Sequence, residues 1–201
     1  DLLYLRVSSF DAKVTEDLEK AILANKNIKG YILDLRNNPG GLLSQAIGAV
    51  NLFVDNGIIV SQKGKNPDDE EKFEASVSKT KTKLPLVVLV NEGSASASEI
   101  VSGSLQDHKR AVIIGEKTFG KGSVQAVLPI ENDRSENIKL TIAKYYLPSG
   151  RTIQATGVTP DVIVNSGKDT QDDEEKFKIK EANLKKHLEG ELEKVEKKKK
   201  E

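Results

Sequence analysis

Leu86-Val87-Val88-Leu89-Val90-Asn91-Glu92-Gly93-Ser94-Ala95-Ser96-Ala97-Ser98-Glu99 opens with an unbroken apolar run, breaks at a short polar loop, and continues into small and acidic residues. An apolar run without alternation predicts a strand buried on both faces, and the small and acidic residues after the loop predict a helix from about Ala97 to Leu105. The same order occurs upstream. Gly30 bounds the apolar segment Tyr31–Leu35, which meets the turn signal Arg36-Asn37-Asn38-Pro39-Gly40-Gly41 and then a helix from about Leu42 to Phe53. Leu2–Val7, Ile58–Gln62 and Ala111–Ile114 read as further strands, and Val14–Ala24 as an amphipathic helix introduced by Thr15. This alternation predicts an α/β core with a mostly parallel sheet.

Working outward, Lys63–Lys83 is polar and predicts a surface excursion with room for one edge strand. Beyond Ile114 the rhythm changes to additional C-terminal β segments at Val124–Ile130, Ile138–Leu147 and Asp161–Val164. From Asp169 the chain is almost entirely charged, and its few apolar residues (Phe177, Ile179, Leu184, Leu188, Leu192, Val195) recur at helical intervals. That predicts a charged C-terminal helix with a thin apolar stripe, which either pairs two copies as a homodimer or stays solvated. The chain divides into a core, residues 1–165, and a tail, residues 166–201; no internal repeat is present.

Composition narrows the function. A net charge of zero gives no basic surface for nucleic acid or an anionic membrane. The absence of cysteine removes disulfides, thiolate zinc sites and a cysteine nucleophile. With His108 and His187 as the only histidines, a histidine-rich metal site is impossible, and no cofactor is implied. No membrane-length apolar stretch or signal peptide is present. Opening on Asp1 rather than Met, the sequence reads as a fragment whose N-terminal part, with any targeting signal, has been removed.

Three segments could carry chemistry. In Gly93–Glu99 a serine at a strand-to-helix junction stands on an exposed elbow, close to the free N–H groups of a new helix. Ser96-Ala97-Ser98-Glu99 fits a helix capping box equally well, and the residues alone do not choose among Ser94, Ser96 and Ser98. Gly115-Glu116-Lys117-Thr118-Phe119-Gly120-Lys121-Gly122-Ser123 nearly matches a phosphate-binding loop. However, Gly122 stands where the metal-binding hydroxyl is needed, and the next residues look extended rather than helical, against nucleotide binding. The same glycines let the backbone bend closely around Lys121 and turn its amine inward, with Phe119 as a candidate wall. A lysine base must be neutral, so its reference pKa of about 10.4 has to fall to about 7–8, a cost of roughly 4 kcal/mol. The third segment, Asp34–Gly41, sets two glycines at the start of a helix, where unobstructed backbone N–H groups can stabilise an oxyanion.

Histidine-based schemes fail on geometry. His108 falls at the far end of the helix that begins beside Ser96, roughly 18 Å away at ~1.5 Å per residue, and His187 lies in the charged tail. Ser76-Val77-Ser78-Lys79 fits S-x-x-K but has no partner motif.

Taken in order, these segments resemble the C-terminal processing, or tail-specific, peptidases of family S41. The resemblance extends to Tyr145-Tyr146-Leu147-Pro148-Ser149-Gly150-Arg151 and Gly157-Val158-Thr159-Pro160-Asp161, and covers nearly all of residues 1–165. It implies a ClpP/crotonase-like core, a serine endopeptidase acting on protein or peptide substrates, and an extracytoplasmic (periplasm or cell envelope) location. It also implies Ser96 as nucleophile, Lys121 as base, Gln125 orienting the lysine, and the backbone N–H groups of Ala97 and of Gly40 or Gly41 as oxyanion donors. Lys121 and Gln125 can share a face if their segment is extended. Family members usually carry a PDZ domain that captures the substrate tail; nothing here resembles it, and Leu2 begins where it would end. The rival readings are a non-catalytic scaffold of the same fold, which loss of Ser96 or Lys121 would have favoured, and a nucleotide-binding protein through Gly115–Ser123.

Overall fold

The computed structural model describes residues 1–66, 68–130 and 133–164. The tail expected to be helical, with His187 and any homodimer contact it makes, lies outside these residues.

The described residues form two sheets. The first is parallel throughout, in the order β1 (Leu2–Arg6), β2 (Gly30–Asp34), β5 (Leu86–Val90), β6 (Val112–Gly115), β9 (Val162–Ile163). Helix α1 (Val14–Ala24) connects β1 to β2, and α3 (Ala97–Asp107) connects β5 to β6. Helix α2 (Leu43–Asn51) comes after β2 and packs against both α1 and α3. The apolar segments form strands because both of their faces find cover. Leu33, Val88, Val90 and Ile113 are fully or nearly fully buried, together with Ala46, Ala49 and Val50 of α2 and Ile100, Val101 and Leu105 of α3. Each such Leu, Ile or Val side chain removed from water stabilises the fold by about 1.5–3 kcal/mol.

Two local expectations change. Thr15 does not introduce α1, which begins at Val14; its N–H and hydroxyl instead reach Gln45 Oε1 (3.0 Å) and the Gln45 carbonyl (3.3 Å), tying α1 to α2. Ile58–Gln62 forms a strand, β3 (Ile58–Lys63), but outside the parallel sheet. β3 joins a second, antiparallel sheet in the order β4 (Glu70–Glu74), β3, β8 (Asp133–Tyr146), β7 (Ser123–Ile130). Its partner β8 comes much later in the chain, a pairing that local periodicity does not carry. β4 is the edge strand expected in the polar excursion.

This topology positions the site. The turns after β2 and β5 leave neighbouring parallel strands at the same carboxyl edge, with Asp34 in register with Leu89. Ligand sites of open α/β sheets form at that edge. The loop from Gly115 to Ser123 runs from the end of β6 to the start of β7, and so from one sheet to the other.

Candidate active site

The three serines of the turn before α3 have different fates. Ser94 is buried; its hydroxyl donates to the Leu35 carbonyl (2.8 Å) and accepts the Asn91 N–H (3.0 Å). Ser98 is buried as well and donates to the Asn38 carbonyl at 2.9 Å. Ser96 is only half-buried, and its hydroxyl donates to no acceptor among the described residues. Its backbone is held at φ 54°, ψ −112°, a conformation that costs a non-glycine residue about 1–3 kcal/mol. Ser96 and Glu99 occupy capping-box positions. Glu99 Oε2 accepts the Ser96 N–H at 2.8 Å, and the Glu99 N–H faces the Ser96 hydroxyl while bonding the Ser96 carbonyl at 2.9 Å.

The turn after β2 abuts this elbow. A Cβ at Gly40 would lie 2.8 Å from Ser96 Cβ and 3.0 Å from Ala97 N, and Gly40 has φ 105°. The turn is stapled by fully buried Asn38, whose Nδ2 donates to the Val7 carbonyl (2.8 Å) and whose Oδ1 accepts the Gly40 N–H (2.9 Å). The Asn38 carbonyl accepts the Ala95 N–H at 2.9 Å. The Gly40 N–H is therefore committed, whereas the N–H groups of Gly41 and Ala97 have no acceptor among the described residues. At the base of the turn, buried Asp34 accepts hydrogen bonds from Tyr4 Oη (2.5 Å), Arg36 Nε (2.9 Å) and Arg36 Nη2 (2.7 Å). Burial raises its carboxyl, but these bonds outweigh it and hold the group well below the usual carboxylate range.

The Lys121 loop is clamped to the same elbow. Fully buried Glu99 accepts the Thr118 hydroxyl (2.5 Å) and the Gly120 N–H (2.7 Å) at Oε1, and the Lys121 N–H (2.9 Å) at Oε2. Ser96 and Lys121 thus share one acceptor oxygen and lie within two hydrogen-bond lengths of each other, amide to amide. The Phe119 N–H donates to the Ser94 carbonyl (3.0 Å) and the Gly122 N–H to Gln154 Oε1 (2.9 Å). The Lys121 side chain is half-buried and has no ion-pair partner among the described residues. The loop runs into strand β7 and not into a helix, so it offers no helix N-terminus to a phosphate.

The model of peptidase family S41 matches residues 1–164. The chain belongs to peptidase family S41. It is 44% identical over 204 residues to a carboxy-terminal-processing protease of Bartonella bacilliformis, covering 96% of this chain and 45% of that protein. It is 40% identical over 167 residues to a probable CtpA-like serine protease of Staphylococcus epidermidis, covering 82% of this chain and 34% of that one. Among solved structures it resembles a photosystem II D1 C-terminal processing protease with a TM-score of 0.73 and 36% identity, over 82% of this chain and 42% of that chain. The chain therefore spans less than half the length of these relatives.

In this S41 core, Ser96, Lys121, Ala97, Gly40 and Gly41 come together around one elbow. Gln125 does not join them by any hydrogen bond among the described residues: its side chain is exposed on the edge strand β7. His108 caps the far end of α3, with Nε2 2.8 Å from the Ile58 carbonyl, and Ser76–Lys79 forms an exposed turn of 3-10 helix. No group of His, Asp and Glu side chains placed to hold a metal occurs among the described residues. Sequence reading missed Asn38, Thr118, Gln154 and the reach of Glu99 into the lysine loop. The capping-box spacing flagged Glu99 as a helix cap, but nothing local signalled its other partners.

Proposed function

We propose that this chain is the catalytic core of a serine endopeptidase that cleaves protein or peptide substrates near their C-terminal tails by a Ser96/Lys121 dyad. The carrying observation is that Ser96 alone of its turn keeps a hydroxyl proton given to no carbonyl, at a strained elbow whose amide shares an acceptor with the amide of Lys121. Ser96 Oγ attacks the scissile carbonyl while the Lys121 amine takes its proton. The resulting oxyanion is met by the Ala97 and Gly41 N–H groups; Gly40 is the weaker donor because Asn38 already holds its N–H. Collapse breaks the C–N bond, and Lys121 passes its proton to the leaving amine. Water, deprotonated by Lys121, then releases the acyl group and restores Ser96. Gln125 serves this cycle only if substrate draws its exposed side chain toward the lysine. The names of the relatives support an action on C-terminal tails, and the family resemblance supports an extracytoplasmic location.

The test is cleavage of fluorescein-labelled casein by Ser96→Ala, Lys121→Arg and His108→Ala across pH. Arginine keeps the charge but does not give up a proton, so Lys121→Arg is expected to be as inactive as Ser96→Ala, with His108→Ala near wild type. Substantial hydrolysis by Lys121→Arg would overturn the mechanism.

A further inference from the structure

The Ser96/Lys121 mechanism leaves unused a buried ionisable group that touches both the elbow and the lysine loop. Glu99 has no exposed surface, yet its two oxygens take four donors from two separate segments: Ser96 N–H from the elbow, and Thr118 hydroxyl, Gly120 N–H and Lys121 N–H from the loop. Two carboxylate oxygens offer about four lone-pair sites, so the anion is fully used and its donors are fully satisfied.

We propose that Glu99, as the anion, is the positioning residue that holds the Lys121 loop against the Ser96 elbow, so that the dyad is assembled only while this carboxylate is charged. The proposal rests on the Ser96/Lys121 reading. A neutral acid loses an acceptor position and directs a hydrogen at groups that are themselves donors. The three amides cannot reverse. The Thr118 hydroxyl can, because its oxygen accepts the Val158 N–H at 2.7 Å with one lone pair and has a second for a proton on Glu99. Thr118 is therefore the place where a proton on Glu99 can be accommodated, and its hydroxyl controls how readily the anion forms. Of the groups facing the carboxyl, Ser96 and Thr118 are neutral, Gly120 has no side chain, and Lys121 is joined through its amide. Burial pushes Glu99 up to about 7, against the pull of its hydrogen bonds from Thr118, Ser96, Gly120 and Lys121. Its charge therefore changes close to neutral pH.

The sign of the effect separates positioning from simple stabilisation. A carboxyl whose folded value lies above its ordinary 4.5 contributes stability that is complete below 4.5 and is lost as pH rises toward 7. Folding thus favours the protonated form, while assembly of the dyad needs the charged one. Acidification through neutral pH is expected to lower turnover without lowering fold stability on account of this group.

The experiment measures kcat and KM for casein against pH, alongside thermal unfolding, for the wild type, Glu99→Gln, Thr118→Val and Thr118→Ser. The amide of Glu99→Gln turns N–H groups toward N–H donors, so kcat is expected to fall about 100-fold with KM nearly unchanged. Thr118→Val removes one bond that favours the anion and is expected to move the acid limb of kcat to higher pH. Thr118→Ser, which keeps the hydroxyl, is expected to restore that limb. A Glu99→Gln enzyme with wild-type kcat, or a Thr118→Val profile whose acid limb does not move, would overturn the proposal. Should Glu99→Gln fail to fold, the Thr118 pair decides. Activity that survives Lys121→Arg would instead sink the dyad reading itself, so the two failures are distinguishable.

Discussion

The Ser96 elbow and the Lys121 loop face each other, but they are held by different means. The elbow grows out of a buried strand and into a helix, and its shape comes from that junction together with a few bonds to the neighbouring turn at Leu35 and Asn38. The loop belongs to no single element. Between β6 and β7 its amides depend on Glu99, Ser94, Gln154 and Val158, each supplied by another part of the chain. A nucleophile can be built into a strand–helix junction, where backbone geometry does the positioning. A base carried by a connection between two sheets has to be pinned from outside.

The largest effect should come where the turn after β2 is pressed against the elbow. Gly40→Ala puts a methyl against Ser96 Cβ and the Ala97 amide at a positive φ, so hydrolysis should fall by about 100-fold or more. Thermal unfolding should report a loss of about 1–3 kcal/mol. A fully active Gly40→Ala would show that the two turns are not in tight register during catalysis. A smaller effect is expected from Gln154→Ala, which strips the Gly122 N–H of its acceptor and leaves the elbow untouched. It should cost about 1–3 kcal/mol and reduce kcat more than it changes KM. An unchanged kcat would mean that the loop does not need this outside support.

The smallest effect on turnover should come from Asp34→Asn, because Asp34 supports the first turn from below, through Arg36 and Tyr4. Its carboxyl is lowered in the folded state, so its stabilisation is present above the ordinary value of about 3.9 and is lost as pH falls below it. Urea unfolding at neutral pH and near pH 3 should show the wild type losing more stability than Asp34→Asn. Equal losses would remove Asp34 from the support of that turn.

The sequence by itself determined the strand–helix order, the small-residue elbow, the glycine turn and the glycine-framed lysine. Each of these is written in neighbouring residues, as a period of apolar positions or a cluster of turn formers. It could not choose among three serines. That choice depended on carbonyls contributed from 59 and 60 residues away, which capture Ser94 and Ser98 and leave Ser96. Those carbonyls are in place only because β2 lies beside β5 with Asp34 opposite Leu89. The same limit hid the pairing of β3 with β8, the capture of the Gly40 N–H by Asn38, the exposure of Gln125 and the fourfold role of Glu99. A local pattern shows what a segment can become. Which hydroxyl finds no carbonyl to donate to, and which carboxylate joins two loops, was decided only when distant backbone groups were brought within about 3 Å of one another, because a hydrogen bond has almost no reach beyond that distance.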